Sequence, residues 1–187
     1  MATAETKLLT AEEYFLLGDS TGYSELVSGR IVPINQPGFR HGRFGIRLGY
    51  FIERYLEEHD SGRSTGLDSG VVTQRDPDSV RGADLAYYSY QRLPAEEDPA
   101  GYPNIAPEIV WEVLSPSDRR KDVLGKVHEY LQAGVLVVCV IDPEREDCIT
   151  YYPDQPEEQL SKHETWRCEA ILPGFELSLA ALFGKKK

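Results

Sequence analysis

Cysteine and long apolar runs are scarce in this 187-residue sequence. The three cysteines, Cys139, Cys148 and Cys168, are odd in number and lack C-x-x-C spacing, which argues against a disulfide framework and a zinc knuckle. No apolar stretch approaches the roughly 20 residues that span a bilayer, and residues 1–9 lack the apolar core of a signal peptide. We therefore expect packing thiols, no membrane partner and a cytoplasmic location.

Basic residues are also in deficit. The chain has 20 Lys and Arg against 31 Asp and Glu, which gives a net charge of −11. Because phosphate binding is driven by basic surface, this balance argues at first against a nucleic-acid partner. The deficit is uneven, since the acidic excess is concentrated in residues 135–180 whereas residues 30–126 are nearly balanced.

The hydrophobic pattern predicts one mixed α/β domain. Hydrophobic residues make up 41% and charged residues 27% of the chain, which are globular values. The length suits a single domain over residues 1–187. Its organised part covers about residues 9–183, and residues 184–187 form a lysine tail.

Local signals predict the order of the elements. A capping box at Thr10 and Glu13 predicts a short N-terminal helix, and the turn residues Ser28-Gly29 predict a β-hairpin. Helical periodicity predicts a long helix over residues 40–58. The remaining predictions are hairpin strands at 23–27 and 30–34; strands at 64–75, 84–90, 109–114, 135–141, 149–152 and 164–170; a loop at 91–107; a helix over 119–133 capped by Ser117 or Asp118; and a short helix over 179–183.

Two carboxylates stand out. Glu112 interrupts the apolar run of the strand at 109–114, where an uncompensated charge is costly. It either lies at a sheet edge, pairs with an arginine or has a function. Asp84, at the predicted start of a strand, is by itself more typical of a turn, but with Glu112 it could share one hard cation such as Mg²⁺.

Lys126 is the third candidate. It lies on the helix after the Glu112 strand, beside the apolar stripe and one turn before Tyr130. Such lysines commonly extend to water. Two acids and a lysine that converge on a metal could, however, polarise a phosphodiester and orient an attacking water.

A series of short motifs then follows the order found in a known family. The chain resembles, over about residues 9–183, a bacterial family of restriction endonucleases in the PD-(D/E)XK nuclease superfamily. The matching segments are 23–29, His41, 81–86, 107–117, 126–130, 134–135, 140–143 and 172–178. One departure is Ala83, which replaces the proline that normally precedes the motif aspartate and alters backbone rigidity more than chemistry.

The resemblance implies a restriction-endonuclease-like core. Its fold class is α/β (α+β), with a mixed central β-sheet flanked by helices and with an N-terminal helix and β-hairpin. It implies that Asp84, Glu112 and the backbone carbonyl of Val113 bind Mg²⁺, with Mn²⁺ as a substitute. Lys126 would be the catalytic lysine, because Leu114 occupies the usual position of that lysine.

Further site residues are expected on the hairpin and the long helix. Glu25 is an accessory acid by resemblance, although hairpin alternation could also point it outward. His41 lies in the apolar face of the helix, either as a hydrogen-bonded core histidine or as a proton carrier or phosphate contact. The stripe of Arg40, Arg43 and Arg47 either covers the core with its aliphatic stems or contacts the DNA backbone.

These residues support a metal-dependent DNA endonuclease that uses a metal-activated water. One alternative is a catalytically inactive module with the nuclease fold that binds DNA or protein. Another is a metal hydrolase of small substrates, which a closed pocket would indicate. The superfamily resemblance also suggests a homodimer, in which two sites would cut two strands.

Overall fold

Eight strands form one mixed sheet in the computed structural model, which describes residues 7–184. The helices are α1 (Ala11–Leu17), α2 (Phe39–His59), α3 (Arg120–Gln132) and α4 (Leu179–Phe183), and a 3-10 turn (Gly18–Thr21) follows α1. The strands are β1 (Ser24–Val27), β2 (Arg30–Pro33), β3 (Gly62–Gln74), β4 (Ser79–Ser89), β5 (Ile109–Val113), β6 (Val137–Asp142), β7 (Asp147–Tyr151), β8 (Glu158–Ser161), β9 (Thr165–Trp166) and β10 (Leu177–Ser178). The lysines of the predicted tail lie outside the described residues.

The sheet has the order β2-β1-β4-β5-β6-β7-β8, and β3 pairs with β4. Strands β5 and β6 are parallel and are joined through α3, whereas the other neighbours are antiparallel. A parallel pair requires such a crossover connection. The predicted mixed α/β class, with a central sheet flanked by helices, is confirmed.

Alternate residues of the central strands face opposite helices. Leu85 and Trp111 pack with α2 and α4 on one face of the sheet. Ala86 and Val110 pack with α3 on the other face. The strands are apolar on both sides because both faces of the sheet are covered.

One edge of β4 is shared by two strands that diverge. Strand β3 pairs along the whole other edge of β4. On the shared edge, β1 pairs at Leu26–Val80 and β5 pairs from Leu85–Trp111 onward. Neither β1 nor β5 pairs with residues 81–84. We call this opening in the sheet the fork.

Asp78 fixes the hairpin beside the fork. Its side-chain Oδ2 accepts the N–H of Ala11 at 2.7 Å, at the start of α1, and its backbone carbonyl accepts the N–H of Gly29 at 2.7 Å in the hairpin turn. The predicted capping box between Thr10 and Glu13 is present. The hairpin strand β1 is thereby held against β4.

Several predicted elements are confirmed, and others need correction. The N-terminal helix, the hairpin, the long helix and α4 are present. The prediction that Asp84 opens a strand was wrong, because β4 begins at Ser79 and Asp84 lies in its interior. The apolar pattern hides this extension, since Arg81 and Gly82 interrupt it while their backbones still pair with β3.

Three smaller corrections concern the second half of the chain. Helix α3 has Arg119 as its N-cap without a side-chain hydrogen bond, and Asp118 instead accepts the N–H of Ser115 at 2.7 Å. Only residues 165–166 of the predicted 164–170 strand are extended. Strand β8 was not predicted, because its polar residues show no apolar alternation.

No helix within residues 7–184 combines the length and the hydrophobicity that a membrane crossing requires.

Candidate active site

At the fork, the backbone N–H and C=O of Gly82 have no backbone partner on a neighbouring strand. Its N–H donates to Glu25 Oε1 at 3.1 Å, and its carbonyl accepts from Lys126 Nζ at 2.7 Å and from the Tyr130 hydroxyl at 3.2 Å. Backbone groups removed from water need partners. Side chains from β1 and α3 supply them where no neighbouring strand does.

Glu112 lies on the sheet face that α3 covers. Its Oε1 accepts from the Tyr130 hydroxyl at 2.8 Å, and its Oε2 accepts from Lys126 Nζ at 3.1 Å. Burial raises the pKa of Glu112 to about 7; the charge of Lys126 opposes this rise and that of Asp84 adds to it. The carboxyl is therefore partnered and readily protonated.

Asp84 connects β4 to β5 and α2. Its Oδ2 accepts the N–H of Val113 at 2.6 Å, and its Oδ1 lies 2.9 Å from His41 Nε2. Only 5% of the Asp84 side chain is exposed. The hydrogen bond with Asp84 raises the pKa of His41. His41 thus joins the site, and its Nδ1 is buried without a hydrogen-bond partner in the described part of the chain.

Glu25 points inward and is buried. Its Oε2 accepts from Arg81 at 2.8 Å, and its Oε1 lies 3.4 Å from Lys126 Nζ. Arg81 is also bound by both oxygens of Glu129, each at 2.6 Å. Hairpin alternation therefore does not turn Glu25 to solvent, and its carboxylate holds both cations of the fork.

Lys126 lies among carboxylates. Burial alone lowers the pKa of this ammonium, but the charges of Glu112, Glu25 and Asp84 outweigh that effect and raise it. Lys126 is consequently charged at neutral pH. It does not extend freely to water, the common behaviour of lysines at such a helix boundary.

Asp68 is a neighbour of the site that the sequence interpretation missed. It lies in a register shift of β3 between Gly66 and Ser69, and its carboxylate accepts a hydrogen bond from the Tyr23 hydroxyl. Gly82 permits the close approach, because a Cβ there would lie 3.1 Å from Asp68 Cβ. Burial raises the pKa of Asp68, and the charge of Asp84 adds to that rise. The sequence does carry a signal for this register shift: Asp68-Ser69-Gly70 has the composition of a turn inside a strand pattern.

The fork offers oxygen donors of the kind that a hard divalent cation prefers. Asp84 and Glu112 supply carboxylate oxygens, and the charge of Asp84 raises the pKa values of both Glu112 and Lys126. Since the N–H and C=O of a strand residue point to the same edge, the Val113 carbonyl also faces the fork. Within residues 7–184 no group of three or more His, Cys, Asp or Glu side chains is preassembled to hold a metal. Few protein ligands are expected for Mg²⁺, which keeps several waters.

The arginine stripe of α2 is largely engaged by the chain itself. Arg40 donates to the carbonyl of Pro143 and Arg47 to that of Ala181. Arg43 is exposed, and its guanidinium lies 5.6 Å from the centre of the Phe44 ring. Two of the three arginines thus attach α2 to the β6–β7 turn and α4, and contact with DNA stays a prediction.

Comparison with known proteins identifies the family and the fold. The model of the Uma2 family, described as "Putative restriction endonuclease", matches residues 11–180. A crystal structure described as a putative nuclease belonging to DUF820, from Anabaena variabilis, has a TM-score of 0.80 and 22% sequence identity. The match covers 94% of this chain and 97% of that chain. No curated protein matches this chain.

We predict that Lys126→Met destabilises the protein in a pH-dependent way. When folding raises the pKa of a carboxyl, the folded state binds more protons than the unfolded state. The free energy of unfolding therefore falls as the pH rises from the unfolded pKa, roughly 4.3 for Glu, to the folded pKa. Loss of the ammonium raises the pKa of Glu112 above about 7. Because Glu112 of the wild type already titrates near pH 7, the free energy of unfolding, measured by urea denaturation, should fall between pH 6 and pH 8 by up to about 1.4 kcal/mol more in Lys126→Met than in the wild type.

The exposed Lys121 on the same helix provides the control for this measurement. Lys121→Met should leave the pH dependence unchanged. An equal loss of stability at pH 6 and pH 8 in Lys126→Met would contradict the electrostatic coupling.

Proposed function

Because this chain belongs to the Uma2 family, we propose that it is a metal-dependent endonuclease that hydrolyses phosphodiester bonds in DNA. The observation that carries the proposal is the largely buried Glu112, which accepts from Lys126 and whose pKa is raised further by the charge of Asp84. The family description supports a nuclease function. Mg²⁺, with Mn²⁺ as a substitute, and a DNA substrate are our additions to that description.

Asp84, Glu112 and the Val113 carbonyl would hold the cation. When bound, the cation supplies a water of lowered pKa and positive charge beside the phosphoryl oxygens. The hydrogen bond from the Val113 N–H fixes the Asp84 carboxylate, so that its other oxygen faces His41 and the opening. Site carboxylates held in this way need little reorganisation when the reaction begins.

Lys126 is the proposed catalytic cation of the chain. Its ammonium is already fixed by the Gly82 carbonyl and Glu112. From there it would orient the attacking water and offset negative charge that develops on the phosphoryl oxygens. Glu25 positions Lys126 from the other side.

His41 has a positioning role in this proposal, with proton transfer as its second use. Its Nε2 contacts Asp84, while its buried Nδ1 has no hydrogen-bond partner among the described residues. Proton transfer would use Nε2, the nitrogen that faces Asp84.

The charge of the protein sets how it would bind DNA. With a net charge of −11 and buried carboxylates at the fork, the chain repels phosphate until a cation is bound. Binding should therefore be weak without metal and should weaken further with salt.

A homodimer is part of the proposal, and an exposed stripe on α2 supports it. Phe39 is 90% exposed, Ile46 71% and Tyr50 59%. At 100° per residue these three side chains fall within an arc of about 40°. Such an apolar stripe on a helix is typical of a protein contact.

The charges beside the stripe complement a second copy of the chain. Arg43 lies near the start of α2, whereas the exposed Glu53 and Glu57 lie near its end. In an antiparallel pair of α2 helices related by a two-fold axis at the level of residue 48, Arg43 faces Glu53 of the second copy and Ile46 faces Tyr50. Two-fold interfaces are self-complementary in this way.

We predict that Glu112→Gln abolishes DNA cleavage. Purified protein would be incubated with supercoiled plasmid and either Mg²⁺ or Mn²⁺, and nicking would be followed over time. The variant should nick at least about 100-fold more slowly, because it loses a metal ligand and a partner of Lys126. Glu157→Gln, at an exposed position after β7, should nick like the wild type.

Absence of nicking by the wild type with either metal, or equal nicking by Glu112→Gln, would contradict the endonuclease proposal. DNA binding without metal-dependent turnover would instead indicate the inactive DNA-binding module.

We predict that reversal of charge on α2 breaks the dimer and that a second reversal restores it. Analytical ultracentrifugation should show a dimer for the wild type and a monomer for Ile46→Glu. Arg43→Glu should weaken dimerisation by at least about tenfold, since like charges then face each other. Arg43→Glu combined with Glu53→Arg should recover the dimer.

Leu16→Glu, at an apolar position off α2 that is 82% exposed, is the control and should remain dimeric. A monomeric wild type would exclude this interface. The same variants test the arginine stripe in a DNA-binding measurement, because a DNA contact by Arg43 predicts weaker DNA binding in Arg43→Glu that Glu53→Arg does not restore.

A further inference from the structure

A cavity of about 560 Å³ opens beside the candidate active site. Its lining includes Tyr23, Asp68 and Gly82, and the last two approach each other closely at the fork. The carbonyl of Gly82 also accepts from Lys126, so one residue of the lining contacts the proposed catalytic ammonium.

The walls of the cavity suit a flat, uncharged group. Phe15 and Tyr102 meet edge to face with ring centroids 5.4 Å apart, and Phe15 is 42% exposed. Arg63 is the single basic residue of the lining that the structure describes, and it is bound to the Pro94 carbonyl at 2.7 Å and lies 3.6 Å from Asp98. Without a free cation the cavity would bind a phosphate poorly, whereas aromatic rings stack on nucleobases of any sequence.

Leu67 protrudes at the cavity from a strained segment. Leu67 and Asp68 both have φ of 60°, a left-handed conformation that is uncommon outside glycine, within the register shift of β3. The Leu67 side chain lines the cavity and is 90% exposed. Strain of this kind is concentrated at functional sites. Apolar side chains held outward next to a nucleic acid commonly act as wedges between stacked bases.

We propose that this cavity receives one unstacked nucleobase of the strand whose phosphodiester lies at Asp84 and Glu112. Leu67 separates that base from its neighbour, and Phe15 and Tyr102 contact its ring. The Asp68 carboxylate, held by Tyr23, accepts a hydrogen bond from an exocyclic amino group, as acidic side chains do with cytosine.

This inference rests on the proposed function and narrows its substrate. Extrusion of a base costs least where the base is unpaired. Single-stranded or bulged DNA should therefore be preferred over a fully paired duplex.

The test uses three labelled oligonucleotides: a single strand, a duplex with one bulged base and a fully paired duplex. Each carries 2-aminopurine at the base under study, whose fluorescence rises when it leaves the stack. Binding is followed by fluorescence anisotropy with Ca²⁺ in place of Mg²⁺, and cleavage is followed with Mg²⁺. The full chain is used throughout.

We expect a fluorescence rise on binding and a preference of about tenfold for bulged over paired DNA, in line with the stacking of one base on aromatic rings. Leu67→Ala and Phe15→Ala should lose both signals. Leu16→Ala, at the neighbouring position outside the cavity lining, should retain them. Leu67→Ala changes a side chain that is 90% exposed, so its fold should survive, and its thermal melting should match the wild type.

Two results would overturn the inference, and they differ in what they say about the nuclease. Equal binding and cleavage of paired and bulged DNA without a fluorescence rise would exclude a base in the cavity while the endonuclease proposal stands. Absence of DNA binding and of cleavage with all three substrates would exclude both.

Discussion

The site depends on one constraint: the backbone N–H and C=O groups of β4 at the fork need hydrogen-bond partners, and no neighbouring strand supplies them. Strands β1 and β5 leave the same edge of β4, so the N–H and C=O of Gly82 lack strand partners. Glu25, Lys126 and Tyr130 satisfy them. The polar cluster inside an otherwise apolar sheet is thus a consequence of strand topology, and each side chain that bonds the Gly82 backbone is held in place by it.

The carboxylates around the fork are buried or partly buried and act on one another through their charges. Glu25 and Glu112 share Lys126, Asp84 acts through its charge on Glu112 and Asp68, and Arg81 is already bound to Glu25 and Glu129. Burial of like charges is unfavourable and appears as raised pKa values of Glu112 and Asp68. A divalent cation would relieve this repulsion. Part of the acidity that first argued against a nucleic-acid partner therefore belongs to the proposed site itself.

Much of the architecture could be predicted because it follows from short-range signals. The capping box at Thr10, the Ser28-Gly29 turn and the periodicity of α2 each depend on residues close in sequence. Glu112 was identified from the same kind of evidence, a single charge in an apolar strand. In the structure Lys126 contacts Glu112, and Glu25 contacts Lys126.

The remaining features depend on long-range geometry. The position of Asp84 inside β4 follows from pairing with β3, which no local pattern shows. Asp68 enters the site through a register shift, and periodicity cannot locate such a shift. The engagement of Arg40 and Arg47 by distant carbonyls is likewise absent from the helical projection that grouped these arginines.

The most direct measurement of the central claim is a crystal structure of the protein soaked in Mn²⁺, with anomalous difference maps. The account predicts one peak at the fork, within coordination distance of carboxylate oxygens of Asp84 and Glu112 and of the Val113 carbonyl, and no such peak in Glu112→Gln crystals. A fully loaded soak that leaves the fork without a peak, or a peak that persists unchanged in Glu112→Gln, would contradict it.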